Sequence, residues 1–87
     1  MATETIKIAI TDANYVPVTA GHFNVYIRQA APVALRLHVG QTLPAPSTVN
    51  YVPISGNSVS LSDLEGADIV YLMAEAPGAE VVVVRGG

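Results

Sequence analysis

Apolar residues recur at every second position through most of the chain, and helical spacing is nearly absent. Thr5–Ile10 sets Ile6, Ile8 and Ile10 on one face against Thr5, Lys7 and Ala9 on the other. Phe23–Gln29 alternates Phe23, Val25 and Ile27 with Asn24, Tyr26 and Arg28. Val33–Val39 alternates Val33, Leu35, Leu37 and Val39 with Ala34, Arg36 and His38. Tyr15–Thr19 contains Pro17, which has no amide hydrogen to give a ladder, so it reads as an edge strand or a bulge. Short strands follow over Asn50–Ser55 and Asn57–Leu61, and the last two over Ile69–Glu75 and Glu80–Arg85. The pattern predicts an all-β fold, a small β-sandwich or barrel of about eight short antiparallel strands.

Turn chemistry suggests how these strands connect. Ala30–Pro32 has the length of a hairpin loop, which predicts Tyr26 opposite Arg36 and Asn24 opposite His38. Residues 41–49, QTLPAPSTV, carry two prolines and no periodicity, and read as the crossing loop of a Greek key. Ser62–Asp68 reads as a turn. The domain expectation is therefore a single β domain over 1–87, with a short N-terminal arm at 1–4 and a Pro-rich crossing at 41–49.

Three landmarks occur twice in the same order. NYVP stands at Asn14–Pro17 and at Asn50–Pro53. VYIRQAAP at Val25–Pro32 is matched by VYLMAEAP at Val70–Pro77, and VALRLHVG to Gly40 by AEVVVVRG to Gly86. The collinearity points to two pseudo-repeated halves, each an edge strand with a hairpin, packed as facing sheets. Two hairpins with the same turn chemistry would also produce these words without a duplication.

The halves differ in their outer faces. The first hairpin leaves Tyr26, Arg28, Arg36 and His38 on one polar face, either solvated or a contact face for an anionic or sugar ligand or a partner. The second is apolar on both faces, with Ile69, Tyr71 and Met73 opposed to Val70, Leu72 and Ala74, and the valines of 81–84 similarly divided. A two-layer sandwich covers one face of each sheet, so the other requires cover from the chain's own N-terminal strand or 41–49 arm, or from another subunit.

Composition sharpens this. Charged residues make up 13% of the 87, against about 25% in ordinary domains, and the formal net charge is −3. There is no basic stripe for a phosphate backbone, so no nucleic-acid partner is expected. No apolar run approaches the ~20 residues of a membrane span, and MATETIKI lacks the form of a secretory leader. The expectation is a protein made in the cytoplasm and not attached to a membrane. Cysteine is absent, which removes disulfides and thiolate chemistry.

No constellation points to catalysis. His22 and His38 have no third ligand at a metal-binding spacing, and no serine has an evident base. Asp63, Glu65 and Asp68 lack the EF-hand pattern and read as a solvated turn. The chain is expected not to be an enzyme and to need no cofactor or metal.

Taken together, the Tyr15–Gly21 segment, the Val25–Ala30 strand, the strand closing on Gly40, the Pro-rich crossing, the Leu61–Gly66 turn, the Ile69–Ala74 strand and the terminal valines resemble the small all-β accessory proteins of tailed-bacteriophage virions. That resemblance implies a decoration or cement protein on the capsid surface. Its partners would be the major capsid protein lattice and further copies of itself, commonly as a trimer. Tyr71, Met73, Val82 and Val84 would then form the subunit interface, and Thr3, Glu4, Thr42, Leu43, Pro44 and Pro46 would touch the shell. The alternatives are a receptor- or carbohydrate-binding module using Tyr26, Arg28, Arg36 and His38, and a component of a head–tail or tail junction.

Overall fold

The computed structural model describes residues 3–21, 23–29, 33–54 and 58–86; His22, the Ala30–Pro32 connection and Gly56 lie outside them. Period-two patterning becomes eight strands: β1 (Glu4–Ile10), β2 (Val16–Ala20), β3 (Asn24–Gln29), β4 (Leu35–Gly40), β5 (Val52–Ile54), β6 (Ser58–Leu61), β7 (Ile69–Ala74) and β8 (Ala79–Gly86). They form two antiparallel four-stranded sheets, ordered β1-β8-β3-β6 and β2-β7-β4-β5. No helix is long and apolar enough to cross a membrane among the described residues.

The ladders β1·β8, β2·β7, β3·β6 and β4·β5 nest like one long antiparallel hairpin. This hairpin is rolled until β3 meets β8 and β4 meets β7. The resulting order is that of an eight-stranded jelly roll, a form of β-sandwich.

Rolling reverses the expected connections. β3 and β4 are not a hairpin but lie in different sheets, as do β7 and β8. Tyr26 stands opposite Val84 and Ser60, and Arg36 opposite Met73 and Pro53, so the predicted Tyr26–Arg36 and Asn24–His38 pairs do not form. The 41–49 segment does not cross between sheets, since it joins β4 to its own neighbour β5. Sheets packed ~10 Å apart can be bridged by three or four residues, so the short connections make the crossings. Two of the crossings, β2–β3 and β7–β8, use a glycine at positive φ, Gly21 at 75° and Gly78 at 90°. Glu4, expected in a free arm, is the first residue of β1.

Adding four to each strand of the first sheet reproduces the second in reverse order, so β1–β4 and β5–β8 are topologically equivalent halves. Each half contributes to both sheets instead of forming one. The matched strands β3 with β7, and β4 with β8, obey this relation. NYVP does not, because it leads into β2 and β5, the two edges of one sheet.

The core lies between the sheets. Val25, Ile27, Val81 and Val83 from one sheet meet Val18, Leu35, Leu37, Val70 and Leu72 from the other. An irregularity between Pro17 and Thr19 inserts Val18 into β2, so consecutive Val18 and Thr19 are both buried.

Candidate interaction surfaces

The outer face of β2-β7-β4-β5 carries an aromatic layer. Core residues Val16, Leu72 and Leu37 share one register row, which sends Tyr71 and its neighbours Pro17 and His38 outward. Tyr15 and Tyr51, the tyrosines of the two NYVP words, pack with Tyr71, Met73 and Ile69 in a cluster separate from the main core. The His38 ring lies 6.1 Å from both Tyr15 and Tyr71, centroid to centroid, and its Nδ1 donates to the Asn50 carbonyl at 2.6 Å. Arg36 sits 4.7 Å from the centre of the Tyr51 ring and donates from Nε to Glu75 at 3.1 Å. Its hydrogen bond to Glu75 raises the guanidinium pKa further. Tyr15 Oη is buried with no hydrogen-bond partner among the described residues, and burial pushes the phenol pKa up.

The cover of Tyr71 and Met73 is thus intramolecular. Both are almost wholly buried by the chain itself, while Val82 and Val84 lie half-buried on the opposite side of the sandwich. The four residues expected to share one subunit interface do not form one surface. The same division separates the polar set, with Tyr26 and Arg28 on the first sheet and Arg36 and His38 on the second.

On the outer face of β1-β8-β3-β6, Lys7 and Arg28 stand directly opposite Val82, while Thr5 and Tyr26 stand opposite Val84. Their stems and ring flank the valines, which is how this sheet keeps apolar residues beside solvent. Beside Tyr26 an open depression of ≈ 330 Å³ is lined by Thr3, Asn24, Tyr26, Ser60, Val84 and Gly86, among others.

A third feature lies at one end of the jelly roll. Because the strands alternate in direction, the β2–β3, β4–β5 and β6–β7 connections gather there with the start of β1 and the end of β8. Among the described residues, five of the six exposed large hydrophobic ones belong to this end: Phe23, Val39, Leu43, Val49 and Val52. Leu43, Val49 and Val52 are 62%, 84% and 60% exposed, values that leave more than half of each residue in water. β5 pairs only with Leu35–Leu37, so β4 runs past its partner and Val39 is uncovered. Thr3, Glu4, Thr42, Leu43, Pro44 and Pro46, the residues expected to touch a shell, all fall at or next to this end. Asp63, Glu65 and Asp68 do too, in a turn where Asp68 accepts from the Glu65 amide at 3.0 Å. Among the described residues no three His, Asp or Glu side chains converge as a metal site.

Sequence reasoning did not single out Tyr15, Tyr51 or Arg85. Arg85 ties three strands, donating from Nε to Glu4 at 2.6 Å and from a terminal nitrogen to the Val18 carbonyl at 2.7 Å. The recurrence of Asn-Tyr before Val-Pro was the signal for the tyrosines. Arg85 carried no local signal, since its partners are distant in the chain.

Compared with protein-family models, curated proteins and solved structures, the chain matches none.

Proposed function

We propose that this protein is a structural component of a tailed-phage virion, a decoration or cement protein that seats the apolar end of its jelly roll on the capsid lattice. The observation that supports this most is the concentration of exposed apolar side chains at that end, in a chain that spends few charges on its surface. Full burial of a Val or Leu side chain is worth ~1.5–3 kcal/mol, so three of them supply several kcal/mol toward docking. The resemblance to phage accessory proteins names the shell as the partner. Binding to the assembled lattice in preference to its open state stabilises the shell by mass action, and no catalytic group is required. Self-association into a homo-oligomer, the trimer favoured, belongs to the same reading.

Cosedimentation with capsids of the phage that encodes the chain tests the reading. The wild-type protein is expected to pellet with shells and to raise their rupture temperature. The Leu43→Asp/Val49→Asp variant, folded because both residues are already in solvent, is expected to remain in the supernatant. Equal pelleting of the two, or no pelleting of either, overturns the docking surface.

A further inference from the structure

We propose that the depression on the outer face of β1-β8-β3-β6 is a saccharide site, with preference for a sugar that carries a carboxylate. The site lies at the rim of the apolar end, on the outer face of the first sheet, and does not depend on the virion reading. Its origin is the register. Along β8 the outward positions are Glu80, Val82, Val84 and then Gly86, which has no side chain to fill the row beside Asn24. Thr3 folds over the bare glycine so closely that a Cβ there would lie 2.6 Å from its Oγ1. What remains is a hollow of ≈ 330 Å³, walled by the Tyr26 ring, Asn24, Ser60 and Thr3. That volume is near the lower bound of ~300 Å³ for small-molecule sites, and it suits one or two sugar rings.

The lining has the chemistry of a sugar subsite. Tyr26 is 40% exposed, an aromatic ring on the outer face of the sheet instead of in the core. Around it the polar side chains of Thr3, Asn24 and Ser60 make no hydrogen bond to another described residue, so their donors and acceptors are free for hydroxyl groups. Arg28 adds charge. Lys7, Arg36 and Arg85 each hold a carboxylate of the chain, whereas Arg28 has no ion-pair partner among the described residues. Its cross-strand neighbours are Val82 and Ser58. It stands two residues from Tyr26 on the same face, ~7 Å along the strand, in reach of a carboxylate on a ring stacked against the tyrosine.

The test is titration of the protein with methyl β-D-glucuronide and with the neutral methyl β-D-glucoside, followed by amide chemical shifts. Both sugars are expected to bind in the millimolar range and to move the resonances of Asn24, Tyr26 and Ser60, with the glucuronide tighter. Tyr26→Ala should weaken both by about tenfold or more. Arg28→Ala should leave the glucoside unchanged and bring the glucuronide down to its level. Asn24→Ala, which removes hydrogen bonds without touching a ring, should weaken both and guards against a misfolded tyrosine variant. No shift with either sugar at tens of millimolar, or shifts that survive Tyr26→Ala, overturn the site. Equal binding of the two sugars by the wild type overturns the carboxylate preference.

Discussion

Tyr15 illustrates how a side chain outside the main core can set both stability and its response to pH. The ring completes the layer over Tyr71 and Met73, but its hydroxyl is buried without a partner among the described residues. Burial favours the neutral phenol, which raises the folded pKa above the ~10 of free tyrosine. The stability tied to this group is therefore complete below pH ~10 and is lost as pH rises through the higher folded value. Tyr15→Phe keeps the ring and removes both the unpaired hydroxyl and the titration. Urea midpoints are expected to be equal or higher for the variant at about pH 8, and clearly higher at about pH 11. A variant that loses stability at the lower pH would show that the hydroxyl has a partner. His38 acts beside it by holding the Asn50 carbonyl, which fixes where Tyr51 leaves the 41–49 segment.

Among the elements, β1 is an edge strand held from one side only, by its ladder to β8. Arg85 adds a tie at the open end, joining Glu4 of β1 to the Val18 carbonyl of β2 in the other sheet. Val18 is the inserted residue of β2, so the bulge and the arginine work together: one frees a carbonyl from the regular ladder, the other satisfies it. Hydrogen bonds that involve a charged group are worth roughly 1.5–3 kcal/mol when partly buried. Arg85→Met is expected to cost about that much and to speed amide exchange in β1 and β2 more than in β4 and β7. Uniform acceleration across all eight strands would show that the tie serves global stability, not the edge. β7 has the opposite situation, with partners on both sides and cover on both faces. Its sequence, IVYLMA, is apolar at every position for that reason.

For the whole molecule, the jelly-roll order separates the proposed docking end from the fold. The 41–49 segment joins two adjacent strands and contributes Leu43 and Val49 to the end, but no strand. Replacing it with a short Gly-containing turn that retains Asn50 and Tyr51 is expected to preserve the β-sheet circular dichroism. Closing a shorter loop should raise stability by up to ~1 kcal/mol, from the logarithmic dependence of closure entropy on length. The same variant should lose capsid binding. Collapse of the fold would instead make the segment structural, contrary to its place between paired neighbours.

Alternation of apolar and polar residues located β1, β3 and β4, and short apolar runs bounded by turn residues located the others, which gave the all-β class because both signals are local to each strand. Pro17 marked β2 as an edge for an equally local reason, the missing amide hydrogen. The fully apolar β7 was legible as a strand needing cover on both faces. What covers it was not, since Tyr15 and Tyr51 come from opposite edges of the sheet. The connections misled because loop length alone does not say whether two strands pair or cross, and here the long loop pairs and the short ones cross. That choice belongs to the rolled hairpin, in which β3 gains β8 and β4 gains β7 through contacts far apart in the chain. Periodicity determined the strands and their apolar faces; long-range pairing decided which faces look inward together, and so which residues share a surface.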